Sequence, residues 1–195
     1  MTDQKKAYLY AAATIMLWST VATAFKISLR ELDFIQFLFV AALSSTLALW
    51  GISLFSKQKS VLRKSTAAEI CRSALMGLLN PLAYYLVLFK AYDLLPAQEA
   101  QPLNWTWPIV LSLMSALFLK QRLGWQGIVA VCLSFVGVLV ISTHGNIFGW
   151  QFTNPAGDLL AVGSSFIWAT YWIMNLNDRR DPVVKLAWNF TFGSA

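Results

Sequence analysis

The stretch PAQEAQPLNWTWPIVLSLMSALFLKQR, from Pro96 to Arg122, decides the fold. Its first third crowds Gln98, Glu99, Gln101 and Asn104 beside Trp105, Trp107, Pro102 and Pro108. Ile109 to Leu119 is almost wholly apolar, and Lys120 and Arg122 close it. At helical spacing, Gln98, Gln101, Trp105, Pro108, Ser112 and Ser115 fall on one stripe, and Ala97, Ala100, Leu103, Trp107, Leu111 and Met114 on another. The second stripe suits lipid or apolar neighbours. The first carries amides, an indole and hydroxyls, which need partners because an unpaired polar group in hydrocarbon is costly. Two readings follow: polar glue between helices, or a helix lining a solute cavity. Glu99 favours the cavity, since an ionisable residue within a membrane span is a functional candidate.

Composition extends the membrane reading to the whole chain. Its 195 residues are 57% hydrophobic and 12% charged, against about 25% charged in soluble domains. The net charge of +6 is not a nucleic-acid signal, because the basic residues form short clusters between apolar runs. Cys71 and Cys132 lie far apart without a metal or redox motif, and are expected to be small buried hydrophobes. His144 has no ligand pattern around it. No metal and no cofactor is expected.

Seven apolar runs predict an all-α, polytopic membrane helical bundle. They cover 7–29, 34–55, 70–88, the organising stretch, 125–143, 157–175, and a last run from Val183 that reaches Ala195. Each complete run approaches the ~20 residues a helix needs to cross hydrocarbon. Ala22-Thr23-Ala24 resembles a signal-peptidase site, but the first run exceeds the usual apolar core of a signal peptide and reads as a retained span. Gly127, Ser134 and Gly137 in the fifth run, and Ala161, Ser165 and Ala169 in the sixth, are expected to allow close helix contact.

Basic residues alternate between loops. Lys5 and Lys6, then Lys57, Lys59, Arg63 and Lys64, then Lys120 and Arg122, then Arg179, Arg180 and Lys185 mark one side. The expectation is a cell (inner) membrane protein with a cytoplasmic amino terminus. The sequons at Asn104 and Asn189 then lie inside spans and are not glycosylation sites.

The chain also repeats itself. Leu9, Ala11, Trp18 and Thr20 superpose without gaps on Leu159, Ala161, Trp168 and Thr170, an offset of 150 residues, and Thr14 pairs with Ser164 and Arg30 with Arg180. Five spans separate the two copies, so they cross the membrane in opposite directions. Inverted repeats of this kind are a signature of secondary transporters, with the solute site near the midplane between halves.

These features resemble the EamA family of the drug/metabolite transporter superfamily. Leu17-Trp18-Ser19-Thr20 with Phe25-Lys26 is similar to that family's opening helix, Ala91 to Arg122 to its third and fourth helices, and Gly127 to Ile141 to its fifth. Phe166-Ile-Trp168-Ala169 is similar to the start of its second repeat. The Asn104 to Pro108 cluster is similar to a branch that includes aromatic amino-acid exporters. Gln121 departs from the family's frequent glutamate before the closing arginine. The resemblance implies ten helices in two inverted five-helix repeats around a cavity open to one side at a time. It divides this chain into a first repeat over 1–143 and an incomplete second repeat over 157–195, with roughly 105 residues lacking from an equal second half. A chain of this extent is expected not to transport unless a second copy or a missing C-terminal half completes the cavity.

The function expected is a secondary transporter, exporting small metabolites such as amino acids by alternating access. A non-transporting membrane subunit, whose polar faces only pack, is the alternative. No catalytic constellation points to an enzyme. The expected partners are a small-molecule solute and the lipid bilayer, not nucleic acid. Trp18, Tyr84, Tyr85, Gln98, Gln101, Asn104 and Trp105 are the candidate substrate-binding residues, because amides bond both ends of an amino acid and indoles offer stacking area. Glu99 is a candidate gate or proton-responsive group, or else a solvated end residue. Pro102 and Pro108 each remove a backbone donor, which is expected to leave the Gln98 and Asn104 carbonyls free for a solute.

Overall fold

The computed structural model describes residues 3–55, 65–121, 123–143, 145–146, 154–176 and 178–194, all α-helical apart from one π-helical turn and short connections. The basic loop at 57–64, Arg122, His144 and Ala195 lie outside the described residues.

The first two apolar runs form α1 (Asp3–Glu31) and α2 (Phe34–Phe55). Asp33 starts α2 by accepting from the Ile35 N–H at 2.8 Å. The third run is longer than its apolar core suggests. It comprises α3 (Ala67–Gly77), a π-helical turn over Leu78–Ala83, and α4 (Tyr84–Leu94). Thr66 and Glu69 form a reciprocal capping box that starts α3. The interruption falls at Asn80, whose backbone is extended, and at Pro81, which cannot donate to the helix. The Asn80–Pro81 peptide is cis.

The fourth run is not one continuous helix. It breaks into α5 (Ala97–Asn104) and α6 (Trp107–Phe118). Pro108 has no N–H for the Asn104 carbonyl, and the chain tightens instead: the Thr106 N–H donates to Leu103 O at 3.2 Å. The last helices are α7 (Trp125–Ser142), α8 (Pro155–Asn175) and α9 (Pro182–Gly193). Asn154 caps α8 and Asp181 caps α9, each followed by a proline at the first helical position.

Among the described residues, three helices are long and apolar enough to cross a membrane: Gln4–Glu31, Phe34–Phe55 and Ala67–Leu94. Trp125–Val140 is a shorter apolar helix. The molecule is a multi-pass membrane protein, and much of its apolar surface faces outward on α1, α2 and α7.

The bundle is centred on α8, which packs against α4, α5 and α6, whereas α9 packs against α2, α3 and the π turn. Ala161, Ser165 and Ala169 are fully buried, as their small-residue spacing predicted. At Gly157 an added Cβ would lie 2.7 Å from Leu95 Cγ, so only glycine permits this approach. The fifth run behaves differently. Ser134 and Gly137 are exposed on α7, and a Cβ at Gly137 would meet nothing within 4 Å. Cys132 on α7 and Cys71 on α3 are likewise exposed rather than buried. Helix α7 touches the bundle chiefly through α5, and Gly127, half-buried beside Leu123, is the more enclosed of its two expected contact glycines.

The stripes of the fourth run are also rearranged. Ala100 and Leu103, from the expected lipid-facing stripe, are buried with Asn104 in the core. Gln98, from the polar stripe, is exposed. Glu99 is 3% exposed, which removes the reading of it as a solvated end residue. The break at Trp105 and the close approach of α8 decide which face turns inward.

Candidate functional site

A cavity of about 280 Å³ opens between α1, α4, α5 and α8. Helix α1 contributes Trp18, Val21 and Phe25, and α4 contributes Tyr84, Tyr85, Leu88 and Tyr92. Gln101 and Asn104 come from α5, Trp105 from the break that follows it, and Trp168 from α8. Thus Trp18, Tyr84, Tyr85, Gln101, Asn104 and Trp105 come together in one place. Gln98 does not join them; it lines a shallow depression beside Gln101, Pro102 and Trp105. Glu99 is not among the lining residues either.

Aromatic rings build the walls. Trp18 and Trp105 meet edge to face at 5.7 Å, and Trp168 lies over Tyr84 at 4.7 Å with 32° between planes. Such arrangements suit the ring quadrupoles and hold each ring in place. Among the described residues, no Asp, Glu, Lys or Arg lines the cavity. Its polarity comes from amides, phenols and indoles, a donor and acceptor set suited to a neutral or zwitterionic solute with an apolar body. A second cavity of about 180 Å³, lined mostly by apolar groups of α1, α2, α4, α9 and Pro81, shares Phe25 and Tyr85 as common walls.

Asn104 joins the cavity to the core. Its Nδ2 donates to Ser164 Oγ at 2.8 Å, and its Oδ1 accepts from the Tyr84 hydroxyl at 3.3 Å. Its backbone carbonyl accepts from Ser165 Oγ at 2.9 Å. This last bond corrects the expectation of a free carbonyl. Pro108 does vacate the Asn104 oxygen, but a hydroxyl of α8 takes the place of the missing N–H, as burial requires. Ser165 Oγ also lies 2.8 Å from Thr106 Oγ1.

Lys26 sits beside the cavity without lining it. Its Nζ donates to Tyr92 O at 2.7 Å and Leu95 O at 3.0 Å. These are carbonyls at the C-terminal end of α4, where a cation also meets the negative end of the helix dipole. At the opposite end of α8, Arg180 pairs with Asp178 at 2.6 Å and donates to Ser73 Oγ at 2.8 Å. The Arg180 guanidinium bonds hold the Asp178 carboxyl below its ordinary range, against the upward push of burial.

Sequence reasoning missed Phe25, Tyr92, Trp168, Ser164 and Ser165. The internal repeat could have supplied Trp168, because it aligns with Trp18, and both line the same cavity. The serines gave no signal of their own, since small hydroxyl residues on an apolar helix usually mark only close packing.

A family model for the EamA-like transporter family matches residues 5–143. The chain belongs to the EamA-like transporter family. Among curated proteins, the EamA-like chain is 26% identical over 174 residues to an uncharacterized transporter of Archaeoglobus fulgidus, covering 87% of this chain and 57% of that protein. It is 30% identical over 120 residues to the uncharacterized transporter YvbV of Bacillus subtilis, covering 60% of this chain and 38% of that protein. It is 23% identical over 186 residues to the aromatic amino acid exporter YddG of Ancylobacter novellus, covering 95% of this chain and 63% of that protein. The chain therefore spans less than two thirds of the length of these relatives. No solved structure matches it significantly.

Proposed function

We propose that the chain is part of a secondary transporter that exports small metabolites, amino acids with aromatic or apolar side chains among them, by alternating access. The cavity carries this reading: an enclosure of aromatic rings and amides, with no charged wall among the described residues, built where α8 meets α1, α4 and α5. The name of the Ancylobacter relative supports the solute class. On this reading Trp18, Tyr84, Tyr85, Gln101, Asn104 and Trp105 contact solute, Gln98 stands at the approach, and Glu99 acts as a gate or proton-responsive group inside the bundle. The protein is a carrier rather than an enzyme.

The architecture proposed is a pair of inverted five-helix repeats in the inner membrane, the first over 1–143 and the second beginning at 157, with a cytoplasmic amino terminus. Two Trp residues at the 150-residue offset, Trp18 and Trp168, share one cavity, which supports a site between repeats. A second copy of the chain or further C-terminal helices would complete the enclosure. Cysteine labelling from outside intact cells should mark positions between α7 and α8 and spare those between α2 and α3; the reverse pattern sinks the orientation.

One observation favours the alternative of a packing subunit: Asn104 uses its carbonyl and part of its amide on α8. The two readings separate by solute binding and flux. In proteoliposomes carrying the complete gene product, labelled L-phenylalanine should move down its gradient. Trp105→Ala should lower that flux with normal membrane expression, and Leu117→Ala, on an exposed face, should not. Equal flux in the Trp105 variant and the parent would leave packing as the role of these residues.

A further inference from the structure

We propose that Ser164 is a positioning residue, fixing the direction of a buried hydrogen-bond relay so that Tyr84 offers the cavity an acceptor and selects solutes bearing an N–H donor, a primary ammonium above all. The proposal rests on the reading of the cavity as a solute site.

The relay begins at a group that cannot reverse. The Ala161 backbone carbonyl only accepts, and Ser164 Oγ donates its single proton to it at 2.6 Å. The Ser164 oxygen is then left as an acceptor, and Asn104 must turn its nitrogen towards it, at 2.8 Å. With the nitrogen so placed, Asn104 Oδ1 faces Tyr84 and accepts the phenolic proton at 3.3 Å. Every proton in the series points the same way, from Tyr84 through Asn104 and Ser164 to Ala161. Tyr84, Asn104 and Ser164 are all buried.

The consequence falls on Tyr84. A tyrosine hydroxyl has one proton and two lone pairs, and here the proton is occupied. Tyr84 and Asn104 both line the cavity. Towards a solute, Tyr84 is therefore an acceptor, and donation to Asn104 increases the electron density on its oxygen. An ammonium group satisfies that oxygen, whereas a carboxylate is repelled by it. Removing the Ser164 hydroxyl releases the Asn104 amide to rotate. A rotated amide would point N–H at Tyr84, compete with the ammonium for its oxygen, and free the phenolic proton for a carboxylate.

The test measures selectivity rather than affinity alone. The complete gene product in lipid nanodiscs would be titrated with radiolabelled L-phenylalanine, and with 3-phenylpropionate, which lacks only the amino group, as competitor. The parent should prefer phenylalanine. In Ser164→Ala and in Tyr84→Phe the preference should fall about tenfold, the scale of one hydrogen bond to a charged group. Ser164→Thr, which keeps the hydroxyl, should hold the parental preference. Because a ratio of affinities is independent of the fraction of protein that folds, a loss of packing alone does not change it. A parent that binds phenylalanine but shows no preference, or variants that retain the full preference, would overturn the relay while leaving the cavity as a solute site. A parent that binds neither probe would overturn both.

Discussion

Helices α1 and α8 carry the same residues at the same spacing and live in different surroundings. Leu, Ala, Trp and Thr recur at positions 150 residues apart. Yet Ala11 is exposed on α1 and Ala161 is fully buried on α8. Thr14 returns its hydroxyl to its own helix, at Tyr10 O, and is exposed. Ser164 does the same at Ala161 O and also accepts from Asn104. Arg30 is exposed, while Arg180 is half-buried with its side chain covered and paired with Asp178. The difference teaches that a repeat specifies a surface that can be packed, and neighbouring elements decide whether it is. Helix α8 has α4, α5 and α6 around it, whereas α1 touches α4, α5 and α2 along one side.

The sharpest way to break this contrast is to enlarge the paired alanines. Ala161→Leu forces a branched side chain between closely packed helices and should destabilise the bundle by about 3 kcal/mol, the upper part of the usual overpacking range. Ala11→Leu should leave thermal unfolding in detergent unchanged. Equal shifts in the two variants would mean that α1 is as enclosed as α8.

A smaller effect is expected at the paired tryptophans. Trp168 stacks on Tyr171 as well as Tyr84, whereas Trp18 has Trp105 as an edge-to-face neighbour and is 45% exposed. Trp168→Ala should cost about 2 kcal/mol, less than a fully buried tryptophan. Trp18→Ala should cost under about 1 kcal/mol while still weakening phenylalanine binding, since both rings line the cavity. Chemical or thermal unfolding combined with a binding titration distinguishes the two. A larger stability loss at Trp18 would reverse the assignment of core and edge.

The smallest effect concerns the paired arginines and pH. The folded Asp178 carboxyl lies below its ordinary value near 3.8 because Arg180 bonds its charged form. Its contribution is fully present above that ordinary value and is lost as pH falls through the lower, folded value. Melting temperature followed downward from neutral pH should decline in that acid window, and Asp178→Asn should flatten that part of the decline. Arg30→Gln should not alter it. An identical acid profile in Asp178→Asn would show that other carboxylates govern it.

Much of the fold was legible from hydropathy alone. The second run, 34–55, coincides with α2, and the fifth and sixth runs differ from α7 and α8 by a residue or two at their ends. The two breaks were harder to read. Both sit at prolines, Pro81 and Pro108, but a proline marks only a missing donor. At Pro108, which hydroxyl takes up the vacated carbonyl depends on a helix some sixty residues later in sequence. The same dependence explains the site. Tyr84, Asn104 and Trp105 announced themselves as polar or aromatic groups in apolar runs. Ser164 and Ser165 did not, because their role exists only once α8 lies against Asn104. Gln98 shares α5 with Gln101 yet stays outside the cavity, because an ideal stripe ignores how the whole helix is seated against α8.

The bonds from Lys26 to the end of α4 bear on how the chain enters the membrane. When α1 and α2 have left the ribosome, Tyr92 and Leu95 are still unsynthesised, so the ammonium of Lys26 has only lipid headgroups and water to satisfy it. The first span is then held by its apolar surface alone, and it acquires its polar anchor when the end of α4 arrives. Nascent chains arrested between α2 and α3 should release α1 to alkaline carbonate more readily than chains arrested beyond α4. Lys26→Met should abolish that difference, making the first span an early and self-sufficient insertion.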